Sequence, residues 1–433
     1  MLEKNVKELN RPRIVILGAG FGGLNAAKKM GQMNADITLV DVNNYHLFQP
    51  LLYQVATAGL SPNQVATPIR QILSRQQNTT VIMDNVIDID LDKSEVVTTE
   101  QRIGFDFLVV ATGSRHAYFG HDEWEGAAPG LKRIEDATDI RKRLLLAFEK
   151  AEAMANYDAK PPNLTFVVVG GGPTGAEMAG AIAELARHTL VRDFRKIVPS
   201  SARVVLVEAG ARILPTFPER LSESAENQLQ WLGVEVLTSD PVNRCDQTGV
   251  TLKSGKVIEA VTVVWAAGVM ASPAALWLKA NMDRAGRVIV GSDLKLPGHD
   301  NIYVIGDTAS ATDGNGLLVP GVAPAAKQMG RYVGRSIIAG LANEQWPPFT
   351  YKNYGNLATI GRKSAVADFG RFQLTGLLAW LIWGFVHIGF LIGFRNRISV
   401  MLDWVWSYIT FGRGARLITG IRAGMVHPSS SEN

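Results

Sequence analysis

The sequence predicts an α/β fold with two doubly wound parallel sheets. Two glycine-rich turns carry this prediction, Gly18–Gly23 and Gly170–Gly175, and each of them follows a short apolar strand and opens a helix. A second apolar strand follows each turn and ends in an acid, Asp41 after the first turn and Glu208 after the second. This order of elements is typical of a Rossmann-like domain: a strand, a glycine turn, a helix and a strand that ends in an acid.

The glycine spacing in both turns is that of a dinucleotide-binding site. In each turn the first glycine allows the sharp change from strand to helix, the second lets the backbone approach a pyrophosphate, and the last lets the helix pack on the strand. The pyrophosphate then faces the N-terminus of the helix, and the acid accepts hydrogen bonds from ribose hydroxyls and disfavours NADP. Two such sites in one chain predict an electron-transfer enzyme that holds two redox cofactors face to face.

Small residues end further predicted strands. Ala111-Thr112-Gly113 follows one apolar strand, and Ala266-Ala267-Gly268 follows another in the second half of the chain. A third strand, 302–305, ends in Gly306-Asp307. Because small residues let a chain pass close to a cofactor, these ends indicate two halves of similar design.

The segments between these motifs have simpler patterns. Leu131–Ala155 has the 3.6-residue period of a long helix, and Ala159–Asn163 reads as the boundary before the second domain. The charged stretch Arg187–Ser200 is interpreted as an insertion that moves Glu208 away from its turn. A further helix is predicted to start in Val322–Gly330, beyond the Gly306-Asp307 strand end.

Length and composition restrict the class of protein. A chain of 433 residues is long enough for two or three domains. Cys245 is the only cysteine, which excludes a disulfide framework and indicates a reducing compartment. The N-terminus is polar and lacks the apolar core of a secretory signal. No metal site is expected, and without a Lys/Arg-rich run no nucleic-acid partner is expected either.

The basic character belongs to the C-terminal tail. The net charge is +4, and residues 349–433 contain nine Lys/Arg against three Asp/Glu. Leu374–Phe394 has no charged residue, and a second apolar segment, Ile398–Ile421, contains Trp404 and Arg413. Such aromatic and arginine side chains favour the headgroup region of a bilayer. The tail can span a membrane by the ~20-residue rule or lie in the interface as a pair of helices, whereas it is too long and apolar for a buried core helix.

The order of the glycine turns, the small-residue strand ends and Gly306-Asp307 resembles that of the two-dinucleotide-domain flavoprotein reductases. Within that superfamily the whole chain, tail included, resembles the type II NADH:quinone oxidoreductases, which are single-subunit respiratory enzymes that pump no protons. The resemblance implies non-covalent FAD at the first turn and NADH at the second. Hydride would pass from NADH to FAD, and two electrons would then pass to a membrane quinone.

The resemblance also implies a location for the enzyme. It favours a monotopic protein on the cytoplasmic face of the inner (cell) membrane, held to the lipid bilayer surface through residues 372–421, and a possible homodimer. The expected domains are an FAD domain in two parts, 1–125 and 296–348, an NADH domain, 126–295, and a membrane-associating region, 349–433.

Individual residues take roles from the same resemblance. FAD contacts are expected from Gly18, Gly20, Gly22, Gly23, Asp41, Ala111, Thr112, Gly113 and Asp307. NADH contacts are expected from Gly170, Gly172, Gly175, Glu177, Glu208, Ala267 and Gly268. Glu177 and Gln328 are the expected catalytic residues, with Glu177 near the nicotinamide and flavin. Pro324, Ala325 and Gln328 are expected to line the quinone site, although Pro324 stands where many members have glutamine.

Two alternatives stay open at this point. The first is a soluble FAD-dependent NAD(P)H reductase that donates electrons to a protein such as ferredoxin. The second is a flavoprotein without enzymatic activity that binds a partner according to its nucleotide state. Disulfide reductases and sulfide:quinone oxidoreductases of this fold are excluded, because their chemistry needs at least two cysteines. His46, in an aromatic loop, is interpreted as a hydrogen-bonded structural residue.

Overall fold

The computed structural model describes residues 11–156, 164–410 and 412–420, which form two compact units. The strands are β1 (Arg13–Leu17), β2 (Asp36–Asp41), β3 (Tyr45–Leu47), β4 (Ala66–Pro68), β5 (Thr79–Met83), β6 (Val86–Asp90), β7 (Glu95–Thr98), β8 (Arg102–Gly104), β9 (Phe107–Val110), β10 (Ser114–His116), β11 (Thr165–Val169), β12 (Arg203–Val207), β13 (Val234–Leu237), β14 (Val242–Asp246), β15 (Gly249–Leu252), β16 (Val257–Glu259), β17 (Thr262–Trp265), β18 (Val269–Ala271), β19 (Val288–Val290), β20 (Ile302–Val304), β21 (Ala309–Ala311), β22 (Asn356–Gly361), β23 (Ser364–Asp368) and β24 (Gln373–Thr375). The α-helices are α1 (Phe21–Lys29), α2 (Leu52–Ala56), α3 (Pro62–Val65), α4 (Ile69–Ile72), α5 (Ile134–Asn156), α6 (Pro173–Glu184), α7 (Glu219–Trp231), α8 (Ala274–Trp277), α9 (Ala323–Leu341), α10 (Gly376–Phe390) and α11 (Phe394–Thr410).

The first unit contains the described residues of 1–47 together with 66–117 and 269–354. Its parallel sheet has the strand order β20-β9-β1-β2-β5, so the order reverses between β1 and β9. Ile14, Ile16 and Leu17 of β1 are fully buried, as expected for a strand covered on both faces. The reversal point is where doubly wound sheets bind ligands, and the first glycine turn begins there.

Helices α1 and α9 pack against each other in the first unit at very short range. A Cβ added at Gly330 of α9 would lie 2.1 Å from the carbonyl oxygen of Gly22 in α1. The glycine of α9 therefore supports the helix that begins at the first turn. The helix predicted to start near Val322 is confirmed, since α9 begins at Ala323.

The second unit contains residues 48–65, 118–268 and the described residues of 355–433. Its parallel sheet has the order β13-β12-β11-β17, which reverses between β11 and β17 beside the second glycine turn. Every residue of β11 is buried. The long helix that the sequence predicts is present as α5, whereas the predicted boundary Ala159–Asn163 lies outside the described residues.

The segment interpreted as an insertion continues α6. A π-helical turn, Leu185–Thr189, follows Glu184 directly, and shorter 3-10 turns lead to β12. Arg187 lies within that π-helical turn, and its Nη2 donates to the carbonyl oxygen of Gly233 at 3.2 Å. The added residues therefore extend and anchor the helix that follows the second glycine turn.

The C-terminal residues of the second unit form an antiparallel sheet, β22-β23-β24, followed by α10 and α11. The uncharged run 374–394 is interrupted, because α10 ends at Phe390. Within residues 11–156, 164–410 and 412–420, no helix combines the length and apolar character needed to cross a membrane.

Candidate functional site

The first glycine turn is tightly packed at Gly18 and Gly23 and open to solvent at Gly20. Gly18 has a φ of +95°, and a Cβ there would lie 2.4 Å from the carbonyl oxygen of Ala111. A Cβ at Gly23 would lie 1.9 Å from the carbonyl oxygen of Gly18, so α1 packs directly on the turn. A Cβ at Gly20 would meet no heavy atom within 4 Å. The open side therefore faces the N-terminal N–H groups of α1, where a phosphate is favoured.

Asp41 is held by the turn itself. Its Oδ2 accepts a hydrogen bond from the Ala19 N–H at 2.6 Å, and its Oδ1 accepts one from the Asn43 N–H at 2.7 Å. Burial raises the pKa of Asp41, and these backbone hydrogen bonds oppose the rise. The carboxyl group is therefore oriented at the carboxyl edge of the sheet, where a ribose of a bound dinucleotide lies.

The ends of β9 and β20 are joined by a network of hydroxyl groups. Thr308 Oγ1 accepts a hydrogen bond from the Gly113 N–H at 2.7 Å, and Ser114 Oγ donates to Asp307 Oδ2 at 2.8 Å. Thr112 Oγ1 lies 2.6 Å from Ser272 Oγ. The structure thus brings the predicted residues Ala111–Gly113 and Asp307 together at one sheet edge. Sequence reasoning missed Ser114 and Thr308, although both directly follow predicted site residues.

The second glycine turn has the same geometry as the first. Gly170 has a φ of +106°, and a Cβ there would lie 2.5 Å from the carbonyl carbon of Ala266. A Cβ at Gly175 would lie 1.7 Å from the carbonyl oxygen of Gly170, and one at Gly172 would meet nothing within 4 Å. The second unit therefore also presents an open helix N-terminus at the reversal point of its sheet.

Glu208 corresponds to Asp41 in this second site. Its Oε2 accepts a hydrogen bond from the Gly171 N–H at 2.5 Å, and its Oε1 accepts one from the Gly210 N–H at 2.6 Å. A carboxylate fixed at the end of β12 suits a ribose diol and repels a phosphate on the same ribose.

Arg212, which stands close to Glu208 in sequence, is bound by its own loop. Its Nη1 donates to the Phe217 carbonyl oxygen at 2.7 Å and to Ser222 Oγ at 2.5 Å, and its Nη2 donates to the Pro215 carbonyl oxygen at 3.0 Å. The guanidinium therefore binds two carbonyl oxygens of its own loop and a hydroxyl group of α7, and these contacts hold the loop against the helix. This arrangement favours NADH over NADPH at the second site.

Both sites fit the pyrophosphate of a dinucleotide. Each has a glycine whose Cβ position is open, a helix N-terminus that begins at that glycine, and a carboxyl group at the next strand end. These are the three features that bind the pyrophosphate and a ribose in this fold.

Phe119 borders the end of β17 in the second unit. A Cβ at Gly268 would lie 2.7 Å from Cζ of Phe119, and the ring centroids of Phe119 and Trp265 are 6.5 Å apart. Phe119 has a φ of +53°, and its side chain is 69% exposed. Sequence reasoning missed it, because a left-handed backbone at an aromatic residue leaves no signal in the sequence.

Glu177 lies on α6, one turn after the second glycine turn, and is buried. The Thr359 N–H donates a long hydrogen bond of 3.5 Å to its Oε1. Burial raises the pKa of Glu177 to about 8, against the opposing effect of that hydrogen bond. The carboxyl group is therefore mostly protonated at neutral pH, and it can both donate and accept a proton.

A cavity of about 100 Å³ adjoins Glu177 within the second unit. Tyr53, Trp383 and Trp404 line it with aromatic rings, and the two indoles stack with their centroids 5.3 Å apart. Gln54, which also lines the cavity, accepts a hydrogen bond from Trp404 Nε1 at 2.8 Å. An aromatic cavity with a neutral carboxyl group on its wall can receive a flat apolar ring and supply it with a proton.

One residue of the tail lies elsewhere than the sequence suggested. Arg413 was expected among the headgroup-facing side chains, but its side chain is 10% exposed and pairs with Glu184 at 3.1 Å. It also donates to the carbonyl oxygen of Thr57 at 2.8 Å. Trp404 is half-buried and stacks on Trp383. The expectation was wrong for Arg413, because the carboxylate of Glu184 offers it a specific partner that lipid does not.

Arg362 lies close to the Arg413–Glu184 pair and binds the end of α11. Its guanidinium donates to the carbonyl oxygens of Ser407 at 2.7 Å and of Tyr408 at 3.0 Å, near the C-terminal end of α11. A cation at the end of a helix stabilises the exposed carbonyl groups of the last turn. Sequence reasoning missed Arg362 and Glu184, since their partners are distant in the chain.

The predicted quinone residues lie on the first turn of α9 and just beyond it. Ala325 is buried, while Pro324 and Gln328 are half-buried. Gln328 Nε2 donates to the Lys352 carbonyl oxygen at 2.9 Å, and Gln328 Oε1 accepts from the Lys352 N–H at 3.0 Å. Both ends of the amide therefore bind backbone, which fixes the orientation of the side chain and leaves one N–H of Nε2 for a ligand.

His46 is buried next to the first glycine turn. Its Nδ1 lies 2.8 Å from the carbonyl oxygen of Ala19, to which it donates, and its ring meets Phe21 edge-on at 5.1 Å between centroids. Burial lowers the pKa of His46 to about 4. The imidazole is therefore neutral and supports the turn.

In the described part of the chain, no group of three or more His, Cys, Asp or Glu side chains is arranged to hold a metal ion. Cys245 is a buried free thiol in β14, and burial raises its pKa to about 11. A thiol in that state is a poor nucleophile at neutral pH.

Known proteins match this sequence along nearly the whole chain. Residues 12–330 match the family of pyridine nucleotide-disulphide oxidoreductases, and residues 354–414 match the NDH2 C-terminal domain. The type II NADH:quinone oxidoreductase Ndh of Mycobacterium tuberculosis is 43% identical, over 97% of this chain and 93% of that protein. NdhA of the same organism is 43% identical over 94% of this chain and 90% of its own length.

More distant relatives also match over most of the chain. The mitochondrial internal alternative NAD(P)H-ubiquinone oxidoreductase A1 of Arabidopsis thaliana is 30% identical, over 94% of this chain and 86% of that protein. The solved structure of NDH2 from Plasmodium falciparum in complex with NADH superposes with a TM-score of 0.85 and covers 95% of this chain and 100% of that one. At 21% identity, this likeness concerns the fold.

Proposed function

The chain belongs to the type II NADH:quinone oxidoreductases and catalyses the reduction of a quinone by NADH as a flavoprotein of the respiratory chain, and from that premise we propose how its residues divide the reaction. The first unit binds FAD non-covalently at Gly18–Gly23, and the second binds NADH at Gly170–Gly175. The observation that carries this proposal is the matching geometry of the two turns, each with an open central glycine beside an anchored carboxyl group.

The residues of the first unit orient the flavin cofactor. FAD, when bound, accepts a hydride from NADH and delivers two electrons to quinone. Asp41 accepts hydrogen bonds from a ribose of the cofactor, and Ala111–Gly113 pass close to it because they lack bulky side chains. Asp307, which Ser114 orients at 2.8 Å, accepts from the ribityl chain.

The residues of the second unit orient NADH. Glu208 accepts from the ribose of the adenosine half, and the open backbone at Gly172 lies against the pyrophosphate. Ala267 and Gly268, at the end of β17, contact the nicotinamide half. Positioning of the two reacting rings is the main contribution of the protein, since the hydride transfer belongs to the cofactors.

Reduction of a quinone consumes two protons together with two electrons. Glu177 is protonated near neutral pH and borders the aromatic cavity, so it supplies a proton to a quinone oxygen and regains one from solvent. Gln328, in the first unit, takes from the family resemblance the role of a donor to a quinone carbonyl, and the second N–H of its side-chain amide serves that role while the first donates to the Lys352 carbonyl oxygen. Pro324 and Ala325 lie on the same helix.

The outer faces of α10 and α11 present an apolar surface for lipid. Leu381 and Phe385 of α10 are 52% and 81% exposed, and Leu402 and Ile409 of α11 are 59% and 71% exposed. We place this surface on the cytoplasmic face of the cell membrane, where apolar area and basic side chains hold an interfacial helix. A quinone dissolved in the bilayer then reaches the aromatic cavity from this side.

The proposed division is tested with purified, FAD-reconstituted protein. We expect a yellow protein that oxidises NADH in the presence of a short-chain quinone, and a Glu177→Gln variant that retains FAD while its quinone turnover falls by about tenfold to a hundredfold. Failure to take up FAD would contradict the assignment of the first unit. Unchanged turnover in the Glu177→Gln variant would remove this residue from the proton transfer.

A further inference from the structure

We propose that Phe119 is a contact residue for the nicotinamide half of NADH, on which its exposed ring packs beside Gly268. This inference rests on the assignment of NADH to the second unit and adds a residue to that site. It depends on three observations that concern the same side chain: its exposure, its backbone conformation and its neighbour.

The ring of Phe119 is largely exposed, although the residues on either side of the ring are part of a packed sheet edge. Phe119 is 69% exposed, although its tip lies against Gly268 and its neighbour Tyr118 is buried. An aromatic side chain gains stability when its faces are covered, and an exposed face beside a ligand site is a surface on which a flat ring can pack.

The backbone of Phe119 is strained. A φ of +53° is rare for a residue with a bulky side chain, and glycine or asparagine adopts it at lower cost. Leu214 and Leu294 have a similar φ but are fully buried, whereas the exposed ring of Phe119 gains little from packing in the protein itself, and a ligand that covers the ring would add that stabilisation. Gly120 follows with a φ of +94°, so the two residues together form the turn that directs the ring.

The strand order locates the ring on one half of the dinucleotide. In the sheet β13-β12-β11-β17, Glu208 follows β12 and Gly268 follows β17, on opposite sides of β11 and its glycine turn. The pyrophosphate lies at the turn and the adenosine ribose at the acid. The nicotinamide half therefore extends toward the end of β17, where Gly268 and Phe119 lie.

The absence of a side chain at Gly268 fits the same role. A Cβ there would approach Cζ of Phe119 to 2.7 Å and displace the ring from this position. The ring and the bare backbone thus form one surface at the carboxyl edge of the sheet, and the exposed part of the ring is available to a nucleotide.

The proposal is tested by calorimetric titration of the FAD-loaded enzyme with NAD⁺ and, separately, with AMP, which carries only the adenosine half. In Phe119→Leu and Phe119→Asn we expect the Kd for NAD⁺ to rise by about threefold to tenfold and the Kd for AMP to stay within about twofold. Asparagine tolerates the left-handed backbone, so this variant removes the ring without adding strain. Phe119→Tyr keeps a ring and is expected to restore the wild-type Kd for NAD⁺.

Trp231→Leu is the matched control. Trp231 is 81% exposed in the same unit, but it lies at the end of α7, just before β13 begins, and therefore at the opposite edge of the sheet. We expect this variant to bind both nucleotides as the wild type does. An unchanged Kd for NAD⁺ in both Phe119 variants, or equal weakening of NAD⁺ and AMP, would overturn the proposal. A wild-type enzyme that binds neither nucleotide would instead refute the NADH assignment of the second unit.

Discussion

Arg413 and Glu184 form a largely shielded ion pair of 3.1 Å, with side chains that are 10% and 17% exposed, although 229 residues separate them in the chain. Glu184 stands two turns after Glu177 on α6, and Arg413 follows α11. The pair therefore fastens the segment after the apolar helices to the helix that carries the proposed proton donor. Because Arg413 also donates to Thr57 and Ala181 carbonyl oxygens, its charge is fully engaged by the second unit.

Replacement of Arg413 by alanine is expected to destabilise the protein strongly. Removing one partner of this largely shielded pair leaves the other charge poorly compensated, which costs up to about 3 kcal/mol of unfolding free energy, the lower end of the range for fully buried pairs. Chemical denaturation measures this loss. The control is Arg416→Ala, because the ion pair of Arg416 with Asp193 is more exposed, at 35% and 38%, and such pairs contribute only about 0–1 kcal/mol. Equal losses in the two variants would contradict a special role for the Glu184 pair.

The stability of the protein is expected to depend on pH through Glu177. Its folded pKa of about 8 lies above the ordinary value of 4.5, so the folded state keeps a proton that the unfolded state has lost. The free energy of unfolding therefore falls as the pH rises between these two values. Glu177→Gln lacks this term and should gain about 3 kcal/mol relative to the wild type between about pH 4.5 and pH 7.

Denaturation curves at several pH values measure the difference between Glu177→Gln and the wild type. Glu223→Gln, on the exposed side of α7, is the control and should follow the wild type throughout. A constant difference between Glu177→Gln and the wild type across the pH range would show that the buried carboxyl group does not titrate as argued.

Glu208 is expected to determine the preference for NADH. Glu208→Ala removes the acceptor for the ribose diol and the charge that repels a ribose phosphate, so kcat/KM for NADH should fall by about tenfold or more while that for NADPH falls less or rises. Steady-state kinetics with both nucleotides give the ratio. Arg212→Ala should lower the melting temperature without changing that ratio, because the described contacts of its guanidinium are to two loop carbonyl oxygens and to Ser222 of α7. A shifted ratio in Arg212→Ala would assign the discrimination to this residue instead.

The exposed face of α10 is expected to bind lipid. Leu381→Asp together with Phe385→Asp should weaken cosedimentation with anionic vesicles by about tenfold or more, since each apolar side chain contributes about 1.5–3 kcal/mol when buried. Oxidation of NADH by a water-soluble quinone should change little. Leu276→Asp is the matched control, because Leu276 is 70% exposed in the first unit. Undiminished vesicle binding by the double variant would place the membrane contact elsewhere.

The local motifs were predictable from the sequence, and the long-range pairs were not. The turns at Gly18 and Gly170 and the acids Asp41 and Glu208 are close in sequence to the strands that position them, so spacing alone indicates their arrangement. The partner of Arg413 depends on how the tail packs on α6, which no local pattern encodes. The left-handed backbone of Phe119 could not be predicted either, because its φ results from the surrounding loop and not from the residue type.

The lone thiol of Cys245 supplies an intrinsic probe of these events. It is 5% exposed and packs in the same core as Trp265, so a maleimide can modify it only when that part of the second unit opens. Labelling kinetics on the native enzyme therefore report the frequency of such openings without any engineered residue. A bound nucleotide that stabilises the second unit should slow the labelling of Cys245. The labelling rate in Arg413→Ala should show whether loss of this ion pair also destabilises the core around Cys245.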